Sequence, residues 1–238
     1  MGKNTKIIEF NGIPACGKST LANSIKFSLE TKNFSIGLWE DITNEFKKQS
    51  LKVKINYVSD IPIIDYLKLF LSLKLEKKRK WYYYWFAIKI SIIYSWCKRG
   101  SKYDFVLIDH GYIQHAVSLL CGDDISTTPR YLKNFERVIK KQTPVDIHIE
   151  CDISIEEVQK RIKSRKRDNG RLDIIDNYEL QKNMYKIEKF NLECINKYLR
   201  EHDKSSKFIK INTEVDIDKN TEYIIKSVLE GKKSCNRK

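Results

Sequence analysis

Apolar and polar positions along this chain alternate between two periods. Short runs rich in β-branched and aromatic residues occur at Lys6 to Phe10 (KIIEF), Ser35 to Trp39 (SIGLW), Phe105 to Ile108 (FVLI), Val145 to Cys151 (VDIHIEC) and Lys207 to Ile211 (KFIKI). Their length and composition predict strands. FVLI shows no polar alternation, as expected of a parallel strand covered on both faces. Helical patterns lie between the runs, from Thr20 onward and over Thr128 to Lys141, Ser154 to Lys166, Asp176 to Glu201 and Asp216 to Glu230. Strand and helix in alternation predict an α/β fold in three layers, a central parallel five-stranded sheet with helices on both faces. After the second strand, Asp41 and Thr43 are predicted helix caps. Ile55 to Pro62 reads as a loop, Ile63 to Leu75 as an apolar helix, and Lys74 to Lys80 (KLEKKRK) as a charged hinge. An aromatic helix, Trp81 to Cys97, then runs to Gly100-Ser101. The segment 62–100 thus reads as a helical insertion in a single domain over 1–230, followed by a polar, basic tail at 231–238.

The chemistry begins at Gly12 to Ser19, Gly-Ile-Pro-Ala-Cys-Gly-Lys-Ser, which fits the spacing G-x-x-x-x-G-K-[ST]. A strand precedes it and a helix follows, the order that makes a phosphate-binding loop. Glycines let successive backbone N–H groups curl around a phosphate, and the helix N-terminus adds its positive end. Gly12, Ala15, Cys16, Gly17, Lys18, Ser19 and Thr20 are therefore the predicted triphosphate cradle. Lys18 would reach the β- and γ-phosphates and the Ser19 hydroxyl would ligate Mg²⁺. The predicted architecture is then a P-loop NTPase fold with ATP and Mg²⁺ as cofactors. Cys16, at a helix N-terminus, sits where a thiol's pKa tends to fall, although a small residue that merely fits the loop is the favoured explanation.

Further candidates follow from position. Asp109 comes directly after FVLI, at the carboxyl end of a strand, where a carboxylate can hold Mg²⁺ or orient an acceptor. His110 and Tyr112 come next. Glu40 and Asp41 close the second strand, and either could take a proton from an attacking hydroxyl. Arg161, Arg165, Arg167 and Arg171 fall in the stretch RIKSRKRDNGRLD, with Arg161 and Arg165 on one helix face. Arginines on a helix end and loop, here 165–175, suit a lid that closes over transferring phosphate.

Composition adds limits. The 238 residues carry a formal net charge of +14. The basic residues are spread along the chain without an aromatic-basic RNA-binding motif, so charge supports only nonspecific attraction to nucleic acid. The six cysteines are scattered with no C-x-x-C pair and no secretory signal, which predicts reduced thiols in a cytoplasmic protein. Trp81 to Cys97 is too short and too charged at its flanks for a transmembrane segment. Its stripe Trp81, Trp85, Ile88, Ile92 and Trp96 fits core or a subunit interface, so a homodimer is one way to cover it. Basic flanks with Trp and Tyr also suit a membrane surface.

Together these segments resemble the P-loop nucleoside and nucleotide kinases, thymidylate kinase most of all. IIEFNGIPACGKST is similar to the family's first strand and phosphate loop, and VDIHIECDISIEEVQKRIKSRKRDNGRLD to its late strand, helix and arginine lid. FVLIDHGYIQ stands in place of a strand followed by an Asp-Arg pair, and KFIKIN with Thr213 to Asp216 resembles the segment near the adenine. His110 replaces the arginine that grips an acceptor phosphate, and no Glu-Pro follows the second strand. The resemblance implies transfer of the γ-phosphoryl of Mg-ATP to a small acceptor, a nucleoside monophosphate such as dTMP or a nucleoside. Lys18, Asp109, Glu40, Arg161 and Arg165 would be catalytic, with Arg165, Arg167 and Arg171 on the donor. A sugar, antibiotic or cell-surface precursor is a competing acceptor. An ATPase or switch acting on a macromolecule is the alternative from another class, and a degenerate, nucleotide-binding kinase a third.

Overall fold

The computed structural model describes residues 5–58, 61–71, 77–120, 128–141, 143–164, 172 and 177–233. Five strands form one sheet: β1 (Lys6–Asn11), β2 (Ile36–Leu38), β3 (Phe105–Ile108), β4 (Ile147–Asp152) and β5 (Lys207–Asn212). They lie in the order β2-β3-β1-β4-β5, all parallel. Ten helices connect or flank them among the described residues: α1 (Lys18–Glu30), α2 (Trp39–Lys48), α3 (Leu51–Ile55), α4 (Ile63–Leu71), α5 (Lys77–Gly100), α6 (Tyr112–Leu120), α7 (Thr128–Ile139), α8 (Ile155–Ser164), α9 (Tyr178–His202) and α10 (Ile217–Lys233).

Alternate strand residues point to opposite faces, and each face has its own core. Ile8, Phe10, Leu107 and Ile149 pack with Leu21 and Ile25 of α1 and Ile224 and Val228 of α10. Ile7, Val106 and Ile108 pack with Ile93 and Tyr94 of α5, Ile113 of α6 and Ile195 and Leu199 of α9. Coverage on both faces is why the central strands read as unbroken apolar runs. The three-layer α/β architecture with five parallel strands is therefore present.

Local boundaries differ from the sequence reading in ways that matter for the site. β2 stops at Leu38 and Trp39 already begins α2. Asp41 and Thr43 consequently lie inside the helix. The Asp41 carboxylate reaches back to accept the Leu38 N–H at 3.3 Å, satisfying a donor that the helix start leaves open. Leu51–Ile55 forms a short helix just before the expected loop, capped by Ser50 Oγ, which accepts the Val53 N–H at 3.4 Å. Residues 77–80 belong to α5 and are no hinge, since Lys and Arg are good helix formers and nothing breaks the run. α6, absent from the sequence reading, is a short apolar helix whose pattern alone does not distinguish helix from strand.

The stripe on α5 divides. Ile88 and Trp96 are buried, whereas Trp81 and Trp85 are 44% and 63% exposed. Toward its C-terminus the helix runs beneath β1 and is buried on several sides, with Ile90, Ser91, Ile93, Tyr94, Ser95 and Cys97 all inside. A single stripe therefore describes only part of the helix. No helix among the described residues is long and apolar enough to cross a membrane.

Candidate active site

The loop between β1 and α1 takes its shape from two left-handed positions, Ala15 at φ 66° and Gly17 at φ 94°. Such a φ costs glycine nothing and alanine a little. Gly12 is demanded by space: a Cβ there would stand 2.7 Å from the Cys151 carbonyl oxygen and 2.6 Å from Cys16 Sγ. Lys18 is 7% exposed and lies along the loop, its Nζ donating to the carbonyls of Gly12 at 2.8 Å and Ile13 at 3.0 Å. Those carbonyls hold the ammonium beside the cradle. Cys16 is buried within the loop. The hydrogen bond from the Cys151 thiol and then the nearby Lys18 ammonium hold its thiol below the usual value, while Cys151 is pushed up by the same contact and by burial. The two thiols are fully packed, and among the described residues Cys16, Cys97, Cys151 and Cys194 are all free.

Ser19 and Thr20 begin α1 on its exposed side. The Ser19 hydroxyl donates to Asp109 Oδ2 at 2.5 Å, joining the end of the phosphate loop to the end of β3 across 90 residues of sequence. An alcohol oxygen and a carboxylate oxygen side by side are a donor set that fits Mg²⁺, which keeps most of its shell as water and phosphate. No cluster of three or more His, Cys, Asp or Glu exists among the described residues that would suit a softer, protein-caged metal. His110 Nε2 lies 4.0 Å from the same Asp109 oxygen, with the imidazole 63% exposed.

β2 and β3 pair in register at Leu38 and Leu107, so the segments that carry Glu40 and Asp109 leave the sheet side by side. The structure separates the two carboxylates after β2. Asp41 is engaged with the Leu38 N–H and with Lys26 Nζ at 3.2 Å, whereas Glu40 stands exposed on the first turn of α2.

Arg161 is a cross-brace. Its Nε binds Glu157 at 3.0 Å, Nη1 donates to the Cys16 carbonyl at 3.2 Å, and Nη2 to the Thr213 carbonyl at 2.7 Å. It ties the phosphate loop to the turn after β5. Between them opens a cavity of about 460 Å³ lined by Ala15, Gly17, Thr20, Arg161, Thr213 and Asn220. Asn220 was not foreseen. It reaches from α10 to the carbonyls of Asn212 at 2.9 Å and Val215 at 3.3 Å and so shapes the cavity wall. Glu214 lies in the segment 213–216 that the sequence reading singled out, but its contact was not foreseen: it fixes the same turn by accepting the Ser154 N–H at 2.7 Å. Neither residue carries a local signal, because each works by folding back on distant backbone. Arg165, Arg167, Arg171 and all of the proposed lid except Leu172 lie outside the described residues.

No protein-family model and no curated protein matches the sequence. Solved structures do. Deoxyadenosine kinase from M. mycoides with bound dCTP aligns at a TM-score of 0.52 and 16% identity, over 94% of this chain and 99% of that one. The same kinase with the products dCMP and a flexible dCDP aligns at 0.55 and 15%, over 94% and 99%. With bound dATP it aligns at 0.55 and 16%, over 93% and 98%. The likeness establishes the fold. At these identities it does not carry the acceptor across.

Proposed function

We propose that this chain is a phosphotransferase that moves the γ-phosphoryl of Mg-ATP to a nucleoside, or to a nucleoside monophosphate such as dTMP. The observation that carries the reading is the contact between Ser19 and Asp109 at the mouth of a glycine-shaped loop, beside a cavity large enough for a nucleotide's base and sugar. The loop's N–H groups and Lys18 would bind the β- and γ-phosphates, and the turn after β5 would face the base. Mg²⁺, held through Ser19 and Asp109 when bound, would offset charge on the transferring group. Glu40, the carboxylate left uncommitted after β2, would accept the proton of the attacking hydroxyl. Arg161 would act chiefly by holding the donor cavity together, with Arg165, Arg167 and Arg171 of the 165–175 lid closing on the phosphates. Such a site works by positioning and charge, which this set supplies. A single domain, with the segment 62–100 forming part of the acceptor side, and a cytoplasmic setting agree with this reading.

The nucleoside is the favoured acceptor for two reasons. The solved structures of similar fold are deoxyadenosine kinases, and His110 offers one imidazole where an acceptor phosphate would call for a forked guanidinium. The test is ADP release with Mg-ATP and, in turn, deoxyadenosine, deoxycytidine, thymidine, dTMP, a panel of sugars, and single-stranded DNA. Turnover with a nucleoside or dTMP, strongly reduced in Lys18→Ala, is the expected result. Turnover that answers only to sugars or to DNA would refute the acceptor class.

A further inference from the structure

β1 contains an anomaly. In the central strand of the sheet, between Ile8 and Phe10, Glu9 is completely buried. A carboxylate there is costly unless its oxygens are satisfied. They are: Oε1 accepts the Ile113 N–H at 2.7 Å, and Oε2 accepts the Tyr94 hydroxyl at 3.2 Å. The Tyr94 oxygen in turn accepts the Tyr112 N–H at 3.3 Å. Tyr112 and Ile113 open α6, so Glu9 and Tyr94 together take up donors that a helix start leaves free. Gly111 is locked against the same pair. A Cβ on it would stand 2.4 Å from the Glu9 carboxyl and 2.5 Å from the Tyr94 hydroxyl.

These contacts bear on the site because of what lies next to them. Glu9 pairs in register with Ile108, the last residue of β3. Asp109, His110 and Gly111 are all that separate that pair from the start of α6. The short link is therefore anchored at one end by the sheet and at the other by the Glu9 carboxylate. An apolar residue would fill the strand position as well as Ile7 does one turn of the pleat below, but it would leave α6 without its acceptor.

We propose that Glu9 is a positioning residue which, through the N-terminus of α6, sets where the Asp109 carboxylate stands opposite Ser19 and thereby how tightly the site holds Mg²⁺ with its nucleotide. This rests on the donor-site reading above. Glu9 touches no substrate in this scheme; it acts through Asp109, as a buried partner does when it orients a metal ligand.

The test uses nucleotide binding by the full chain without acceptor, measured by calorimetry with ADP in excess EDTA and with ADP plus Mg²⁺. Glu9→Leu keeps the bulk and removes the acceptor oxygens, while Glu9→Gln keeps a carbonyl for the Ile113 N–H. In Glu9→Leu the gain in ADP affinity on adding Mg²⁺ should fall about tenfold, the lower end for loss of such a partner. Affinity for metal-free ADP should stay within about twofold, and Glu9→Gln should restore most of the gain. Tyr94→Phe, a milder change that leaves the strand intact, serves if Glu9→Leu does not fold, and should show a smaller loss of the same kind. An unaltered Mg²⁺ gain in the folded variants overturns the proposal and leaves the donor site standing. Equal weakening of both forms of ADP also overturns it, since that marks general damage. If the wild-type chain binds no ADP at all, the donor-site reading falls, and this inference with it.

Discussion

The two faces of the sheet are built on different principles. On the face covered by α1 and α10, apolar residues continue up to the phosphate loop, from Ile8 and Leu107 to Phe10, Ile149 and Cys151. On the face covered by α5, α6 and α9, β3 stays apolar through Ile108, but β1 above Ile7 and the neighbouring β4 present Glu9, Asn11, His148 and Glu150, all buried. The first face supports a loop whose function lies in its backbone, so an apolar floor is enough. The second supports side chains, Asp109 and His110, whose direction must be set by other polar side chains. Asn196 of α9 donates to Asn11 at 3.4 Å, and Arg200 of the same helix pairs with Glu150. The glycine-bounded loop is thus local in sequence, whereas the cavity beside it and the polar face opposite are assembled from distant segments.

Five perturbations sharpen that contrast. The largest effect should come from Lys18→Ala, with acceptor-dependent ADP production lowered roughly 10²- to 10³-fold, as for loss of one charge-stabilising donor. Circular dichroism should show the fold intact, because the lysine bonds only groups of its own loop; collapse of the fold instead would make Lys18 a structural group. Next, Asp109→Asn should raise the half-saturating Mg²⁺ concentration by about tenfold or more in the same assay. An unchanged Mg²⁺ requirement would sever the metal from this residue.

Gly111→Ala should cost about 1–3 kcal/mol in urea unfolding, the usual range for forcing an atom into a packed site. The new Cβ meets a buried carboxyl and a buried hydroxyl. A neutral result would mean that the Glu9–Tyr94 contact is slack.

The pH dependence of stability tests the polar face as a whole. Burial pushes Glu9 up to about 7 and pulls His148 down to about 4. The two residues are in register on neighbouring strands, with Tyr94, Tyr112 and Asp203 as further ionisable groups beside them. A raised carboxyl favours the folded state fully below its ordinary value and loses that contribution as pH rises through 7. A depressed histidine contributes above about 6.5 and loses its contribution as pH falls through 4. Glu9→Gln should therefore abolish a loss of stability between pH 4.5 and 7, about 1–3 kcal/mol by linkage. Urea midpoints of wild type and variant at the two ends of that window are the measurement, and a constant difference between them would contradict the buried, protonatable Glu9. The smallest effect belongs to the exposed end of α5, where Trp85→Ser should change stability by no more than about 0.5 kcal/mol. A larger loss, or a halved mass in solution, would show that the ring is covered by a second copy.

The strands, the phosphate loop and Asp109 were legible because their signals are local: an apolar run, a motif with fixed spacing, a carboxylate at a strand end. The choice between Glu40 and Asp41 was not, since it turned on which carboxylate the helix start would capture. Arg161 was legible as a cation but not as a brace, because its partners at Cys16 and Thr213 are remote in the chain. α6 was missed for a related reason. Its short apolar sequence becomes a helix in company, with Glu9 and Tyr94 accepting its first N–H groups.

Periodicity and spacing thus decide the layers of this protein and the glycine-bounded loop after β1, since backbone geometry and apolar burial act on neighbours in sequence. The meeting of Ser19 with Asp109, the brace of Arg161, and the burial of Glu9 under Gly111 belong to the tertiary structure alone. Hydrogen bonds and charges act over a few ångströms of space, and only folding brings those partners within range.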